Sequence, residues 1–212
     1  MKNLRSRTMA FTRAGTVGLF VAVVLAPVSA VAQQPAASGS AAFGSQPSGR
    51  ARTTVELRRR TGDRAPLRIT IDYGQPHARG RAIVGNLVPF DAVWRTGANE
   101  ATSLVTDVDL TIGGAAVPKG SYTLYTLPSR NGWKLIINKN TGQWGTDYLP
   151  EHDLARVDLR SRQLREPLDS FSMWLVPDVE RNASGGISAG LPRGVLRLAW
   201  GDVELSTDWS VR

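Results

Sequence analysis

The chain has 212 residues, no cysteine and two histidines, His77 and His152. These counts exclude a disulfide framework, thiolate metal sites, a cysteine nucleophile and histidine-rich metal centres. Hydrophobic residues make up 42% and charged residues 21%, the balance of a globular protein, with a formal charge of +8.

The first segment reads as an export signal. A cationic start from Lys2 to Arg13 precedes an apolar run from Ala14 to Val28, and Ala30-Val31-Ala32 offers a small-x-small cleavage site before Gln33. Pro27 and Ser29 cut the run short of the ~20 apolar residues a spanning helix needs. Residues 1–32 are therefore expected to be a cleaved signal peptide, leaving no membrane span and placing the mature protein in a bacterial periplasm or outside the cell. Removing Lys2, Arg5, Arg7 and Arg13 leaves 22 cations against 18 acids, a net +4. Residues 33–52 are mostly Ala, Ser, Gly, Gln and Pro without apolar periodicity, which predicts a disordered linker. The folded domain is expected over 53–212.

That domain reads as β throughout. Arg58-Arg59-Arg60 continues a strand into a Thr61-Gly62-Asp63 turn. Leu67, Ile69, Ile71 and Tyr73 alternate with polar residues, the period of a half-buried strand. A second alternation runs from Leu104 to Ile112 and stops at Gly113-Gly114; Pro118-Lys119-Gly120 turns the chain again. Tyr122 to Thr126 and Trp133 to Ile137, joined through Asn131-Gly132, predict a hairpin. Further strands are expected at 155–159, 171–175, 195–200 and 203–209, with a tight turn at Gly201-Asp202 between the last two. Leu149 to Arg156 has room for one helical turn. Many short strands with regular turns predict an all-β, antiparallel β-sandwich. Trp94, Trp133, Trp200 and Trp209 fall in phase with apolar neighbours and are assigned to the core. Trp174 falls out of phase with Phe171, Met173 and Leu175 and is assigned to the outer face, as a partner surface or second packing layer.

One stretch breaks the alternation. Residues 74–101, GQPHARGRAIVGNLVPFDAVWRTGANEA, hold four glycines, two prolines and three arginines. Long irregular segments of this kind are often functional. Its candidate ligand-binding groups are Arg81, Arg95, Asn99 and Glu100, with Arg79, Asp91 and His77 beside them. Trp144, in a Thr-Gly-Gln-Trp-Gly loop, is a further candidate for stacking on a sugar ring.

The residues of this stretch also carry a likeness. Tyr73-Gly74-x-Pro76, Gly80-Arg81, Leu87-Val88-Pro89 and the ten-residue block from Val93 to Thr102 resemble a bacterial domain-of-unknown-function family, number 2911. Pro118-x-Gly120-x-Tyr122-x-Leu124, Asn138-Lys139 and Gln143-Trp144-Gly145 agree with it. The resemblance spans residues 67 to 209 and implies an exported, mostly β domain of no established activity. The chain departs from that pattern at Gln75, where arginine is usual, and at Phe90-Asp91, where Tyr-Gly is usual.

Each candidate has a plain structural alternative. Arg95 and Glu100 form either a ligand clamp or an internal ion pair bracing a turn at Asn99. His77 is either a general base or a surface histidine, and no acid at a telling spacing favours the base. Trp144 either stacks on a ligand or plugs the core. Asp107 and Asp109 are too few to hold a cation. Asp147, Glu151, His152 and Asp153 suit a helix start as well as they suit calcium. Gly186-x-Ser188-x-Gly190 matches the serine-hydrolase elbow as a string, but lacks the strand, helix and downstream histidine that the elbow requires. No metal and no cofactor is expected. Arginines scattered among acids argue against nucleic acid as a partner. The expectation is a noncatalytic exported module holding a small polar or anionic ligand near 74–101. The alternatives are a structural or protein-interaction domain with an envelope partner, and, less favoured, a hydrolase using Glu100.

Overall fold

Alternation of apolar and polar residues turns one face of each strand inward, and that rule assembles the core here. The computed structural model describes residues 48–58, 65–178 and 190–212, all within a compact unit spanning Gly44–Arg212. The strands are β1 (Gly49–Leu57), β2 (Leu67–Gln75), β3 (Ser103–Thr106), β4 (Leu110–Ile112), β5 (Ala115–Val117), β6 (Gly120–Ser129), β7 (Gly132–Asn138), β8 (Asp153–Asp178) and β9 (Arg193–Val211). All their pairings are antiparallel, and they form one sheet in the order β1-β2-β3-β6-β7-β8-β9-β4-β5. The protein is thus all-β; its helical content among the described residues is one short 3-10 turn, Pro150–His152. No helix among those residues is long and apolar enough to cross a membrane.

The two ends of the sheet are joined through β8. Its first part pairs with β7 as far as Leu159, and its later part pairs with β9 from Arg160 to Asp178. Past Leu159 the edge that faced β7 is free, and β1 and β2 cover it. Phe171 N donates to Pro76 O (2.9 Å), Met173 N to Tyr73 Oη (3.1 Å) and Leu175 N to Thr53 Oγ1 (3.3 Å). Gln75 Nε2 returns a bond to Phe171 O at 3.0 Å. Ile69, Ile71, Leu104, Leu124, Leu135, Phe171, Met173 and Leu196 fill the interior so enclosed.

Several boundaries differ from the sequence reading. β1 begins at Gly49, inside the segment expected to be linker, because Arg50 and Arg52 both reach Asp72 on β2 and anchor a strand of small residues. The alternation from Leu104 to Ile112 is broken at 107–109. There Asp107 accepts from Arg68 N and Asp109 from Lys119 N, both at 2.8 Å, so these carboxylates tie turns. The expected strands at 155–159 and 171–175 are one long strand, bent at register shifts between Gln163 and Ser172. Gly201 and Asp202 do not turn the chain back. Gly201, at φ +60°, sits opposite Leu168 as a bulge inside continuous β9, where a left-handed residue bends a strand without ending it. The signal-peptide segment, most of the linker, the Arg59-Arg60 turn and the serine of the 186–190 string lie outside the described residues.

Glu204 on β9 is a buried charge, and it is paired. Arg162 Nε and Nη2 reach its two oxygens at 2.8 and 2.7 Å, and these bonds hold its carboxyl below the ordinary glutamate value. A depressed folded-state value means the stabilisation is complete at neutral pH and is lost as pH falls through that value. Glu204→Gln is expected to cost about 1–3 kcal/mol at neutral pH in urea unfolding. The gap from wild type should close in acid, where the carboxyl is protonated in both folded and unfolded chains.

Candidate functional site

Two loops carry the polar residues singled out from the sequence. The first, 94–102, is tacked across β6: Trp94 N donates to Thr126 O at 2.8 Å, and Thr126 N to Trp94 O at 3.0 Å. Thr102 Oγ1 closes it by donating to Thr96 O at 2.8 Å. Its aromatic anchor, Trp94, stacks on Trp200 (5.7 Å between centroids, 15° between planes) and meets Phe171 edge-on. The second loop, 139–152, is held by fully buried Asn138, whose Nδ2 donates to Leu149 O and Asp153 Oδ1 and whose Oδ1 accepts from Asn140 N. Tyr148 donates to Asp153 Oδ2 at 2.7 Å. Burial and that carboxylate push its hydroxyl up to about 12, so it remains a donor at any ordinary pH.

The loops meet at a single point. Glu100 and Trp144 form an isolated antiparallel bridge, and Gly145 N donates to Asn99 O at 3.0 Å. Residues opposite each other in an antiparallel pair project side chains to the same face. The Trp144 indole, 48% exposed, therefore stands beside the Glu100 carboxylate, 63% exposed, on one open ledge. Arg50 of β1 completes it: Nη1 donates to Glu100 O at 3.2 Å and lies 3.8 Å from Glu100 Oε2. The rest of the Arg50 guanidinium is bonded to Asp72, through Nε at 2.8 Å and through Nη2.

Of the five candidate residues, four gather here and one does not. Asn99, at φ +62°, donates from Nδ2 to Ser48 O at 3.2 Å. Arg95 donates from Nε to Gly97 O at 3.2 Å. The Arg95–Glu100 ion pair weighed from the sequence does not form; Glu100 takes its cation from β1, a partner fifty residues away in the chain. Arg81 shares no partner with the other four. Its Nε and Nη2 donate to Ala78 O (2.9 Å) and His77 O (2.7 Å), fastening its own turn.

One group escapes sequence reasoning: Arg50 falls in the segment read as linker, and only the cross-strand register reveals it. His77, open between general base and surface histidine, is half-buried, with Nδ1 2.8 Å from Ser170 Oγ and 3.5 Å from Asp169 Oδ2. Both partners approach the same ring nitrogen, whereas a relay needs the hydroxyl and the carboxylate on opposite nitrogens. Asp169 also accepts from Arg79 N, and its carbonyl takes Ala78 N and Trp200 Nε1. This cluster fastens the 76–81 turn to β8. The acids at 147–153 do not gather into a cation site: Asp153 is spent on Asn138, Tyr148 and Arg156. Among the described residues, no group of three or more metal-ligating side chains occurs.

A family model described as "Protein of unknown function (DUF2911)" matches residues 57–207. No curated protein and no solved structure gives a match.

The ledge depends on the close approach of its two loops. A Cβ on Gly145 would fall 2.6 Å from Asn99 O and 2.8 Å from Arg95 Cδ. Gly145→Ala is expected to pry the loops apart, costing about 1–3 kcal/mol. Amide hydrogen exchange should rise at Ala101, Gly145 and Asp147 and stay unchanged in the β6–β7 hairpin.

Proposed function

Since the chain belongs to the DUF2911 family of proteins of unknown function, its activity has to be read from its surface, and we propose that it is an exported, noncatalytic module that binds a small polar ligand at the Trp144–Glu100 ledge. In this reading residues 1–32 are removed on export, the mature protein works in the bacterial periplasm or outside the cell, and the curled sheet acts as a β-sandwich scaffold under the ledge. One observation carries it: the Glu100–Trp144 bridge sets an open aromatic face next to an open carboxylate on a loop pair pinned from both sides.

That chemistry favours a neutral, hydroxyl-rich ring over an anion. An indole face packs against the apolar face of a ring, while Glu100 accepts from its hydroxyls and the outer nitrogens of Arg95 and Arg50 donate to them. An anion would meet the Glu100 charge, and Arg50 is already neutralised by Asp72. A hydrolase using Glu100 would need a second carboxylate positioned for the reaction. Asp72, which shares Arg50 with Glu100, is bound to both Arg50 and Arg52 instead. A second reading, an envelope interaction domain, draws on Trp174 and Val176, both exposed on one face of β8.

Titration of the mature protein with a panel of mono- and oligosaccharides, followed by the backbone amide resonances of Gly145 and Ala101, tests the proposal. Binding is expected to weaken at least about tenfold, or ~1.4 kcal/mol, in Trp144→Ala, and to fall in Glu100→Gln. Arg81→Ala should bind as wild type does. Saturation that Trp144→Ala leaves untouched, or no response to any sugar in the panel, sinks the ledge and leaves the envelope-partner reading standing.

A further inference from the structure

A hollow of about 450 Å³ opens on another part of the molecule, between the ends of β8 and β9 and the β4 strand. It shares no residue with the ledge. Volumes of roughly 300–1,000 Å³ are typical of small-molecule sites. The hollow exists because β9 bends at Gly201 until its last residues return to its first: Val211 N donates to Pro192 O at 2.8 Å. Side chains from both halves of one strand thereby face the same space.

Its wall is mixed, with Val176, Pro177, Val195 and Trp209 forming an apolar patch among polar and charged residues. Its charges are unequal in availability. Asp208 accepts both terminal nitrogens of Arg160 at 2.7 Å, so its charge is already matched. Arg193 lies 3.6 Å from Asp178. Arg197 is different. Half-buried on β9, it stands opposite Trp174 and has no carboxylate within ion-pair distance among the described residues. Its charge is felt by Glu204, but a half-buried guanidinium outside any close ion pair keeps its planar donors available, the shape that receives a carboxylate through two parallel bonds.

A second observation points the same way. Trp209 is 2% exposed, and its indole N–H has no hydrogen-bond partner. Buried donors are almost always satisfied, and an orphaned one is costly to the fold. The orphan belongs to a residue that lines the hollow. A cavity with a cation outside any close ion pair, an aliphatic patch and a wall residue whose buried donor is unsatisfied suits an oxygen acid with an apolar body.

We propose that this hollow binds a small carboxylate carrying an aromatic or branched aliphatic body, with Arg197 taking the carboxylate, Val176 and Val195 packing the body, and the Trp209 indole as its inner wall. The carboxylate belongs either to a free acid or to the C-terminus of a peptide, and the two sources are separable by experiment.

The test follows the Trp209 indole N–H resonance of the 15N-labelled mature protein, assigned by its loss in Trp209→Phe, while 3-phenylpropionate is added. A saturating shift is expected, with 3-phenylpropionamide giving none. Arg197→Gln should weaken binding at least about tenfold. Val195→Phe, which fills the hollow and leaves its charges alone, should abolish binding while the rest of the spectrum stays native. A phenylalanine-terminated peptide and its amide form the second arm: tighter binding of the free-acid peptide than of phenylpropionate assigns the site to chain termini, and the reverse order assigns it to free acids. The proposal is overturned if neither acid moves the Trp209 resonance, if the amides bind as well as the acids, or if Arg197→Gln binds like wild type.

Discussion

Once β8 leaves β7 at Leu159, the backbone N–H groups along its freed edge must find acceptors inside the molecule, and much else in the structure follows from how they do so. Buried main-chain donors cannot be left unpaired without a cost comparable to a lost hydrogen bond. A tenth strand would have met the need. Instead one carbonyl and two side-chain hydroxyls, Pro76 O, Tyr73 Oη and Thr53 Oγ1, take Phe171, Met173 and Leu175 in turn. Every second residue from Phe171 to Leu175 is thereby served, the spacing at which successive N–H groups point to the same edge. The first two strands of the sheet are drawn against its sixth, β8, and the interior closes over Phe171 and Met173.

That closure decides what the irregular segment after β2 is able to do. It leaves β2 at Gln75 already fastened to β8, passes through the His77–Ser170 bridge, and reaches β6 through the Trp94–Thr126 pair before joining β3. A segment tied at three places along its length has few polar groups left over. Arg81 and His77 are spent on the first tie, and Thr96 and Thr102 on the last. What stays open is the outer lip, where Glu100 meets Trp144. A binding surface on such a lip is preorganised, because little backbone entropy remains to be lost when a ligand arrives.

The sequence made some of this legible and hid the rest for definable reasons. Period-two alternation identified β2, β6 and β7, since each keeps one face inward along its whole length. The phase of Trp174 against Phe171, Met173 and Leu175 assigned it to the outer face, and it is exposed there. The exposure of Trp144 was open from its loop context and is settled by its bridge to Glu100. Alternation could not show that β8 is one strand, because the bulged region between Gln163 and Ser172 shifts the register without a turn residue to mark it. Nor could it show Arg50 beside Glu100 or Arg197 beside Trp209, pairs set by register and by the bend in β9. The glycine that permits that bend looked like a turn, and the two cases use the same left-handed backbone.

The abundance of arginine has a similar resolution. Glu56 is opposite Arg68, Asp72 opposite Arg52, Asp158 opposite Lys134 and Glu204 opposite Arg162. Each of these pairs is joined by an ion pair across neighbouring strands. Arginine in these pairs is the complement of an acid on the next strand, an arrangement that favours one register over its slipped neighbours. The basic balance of the chain therefore says little about anionic partners. Arg81 and Arg95 depart from this rule by bonding to loop carbonyls, and Arg197 departs from it on a strand. Arg197 faces a tryptophan where the paired guanidinium groups face an acid; its charge helps hold Glu204 ionised, but cross-strand pairing gives it no ion pair of its own, and its donors stay open to the hollow it lines.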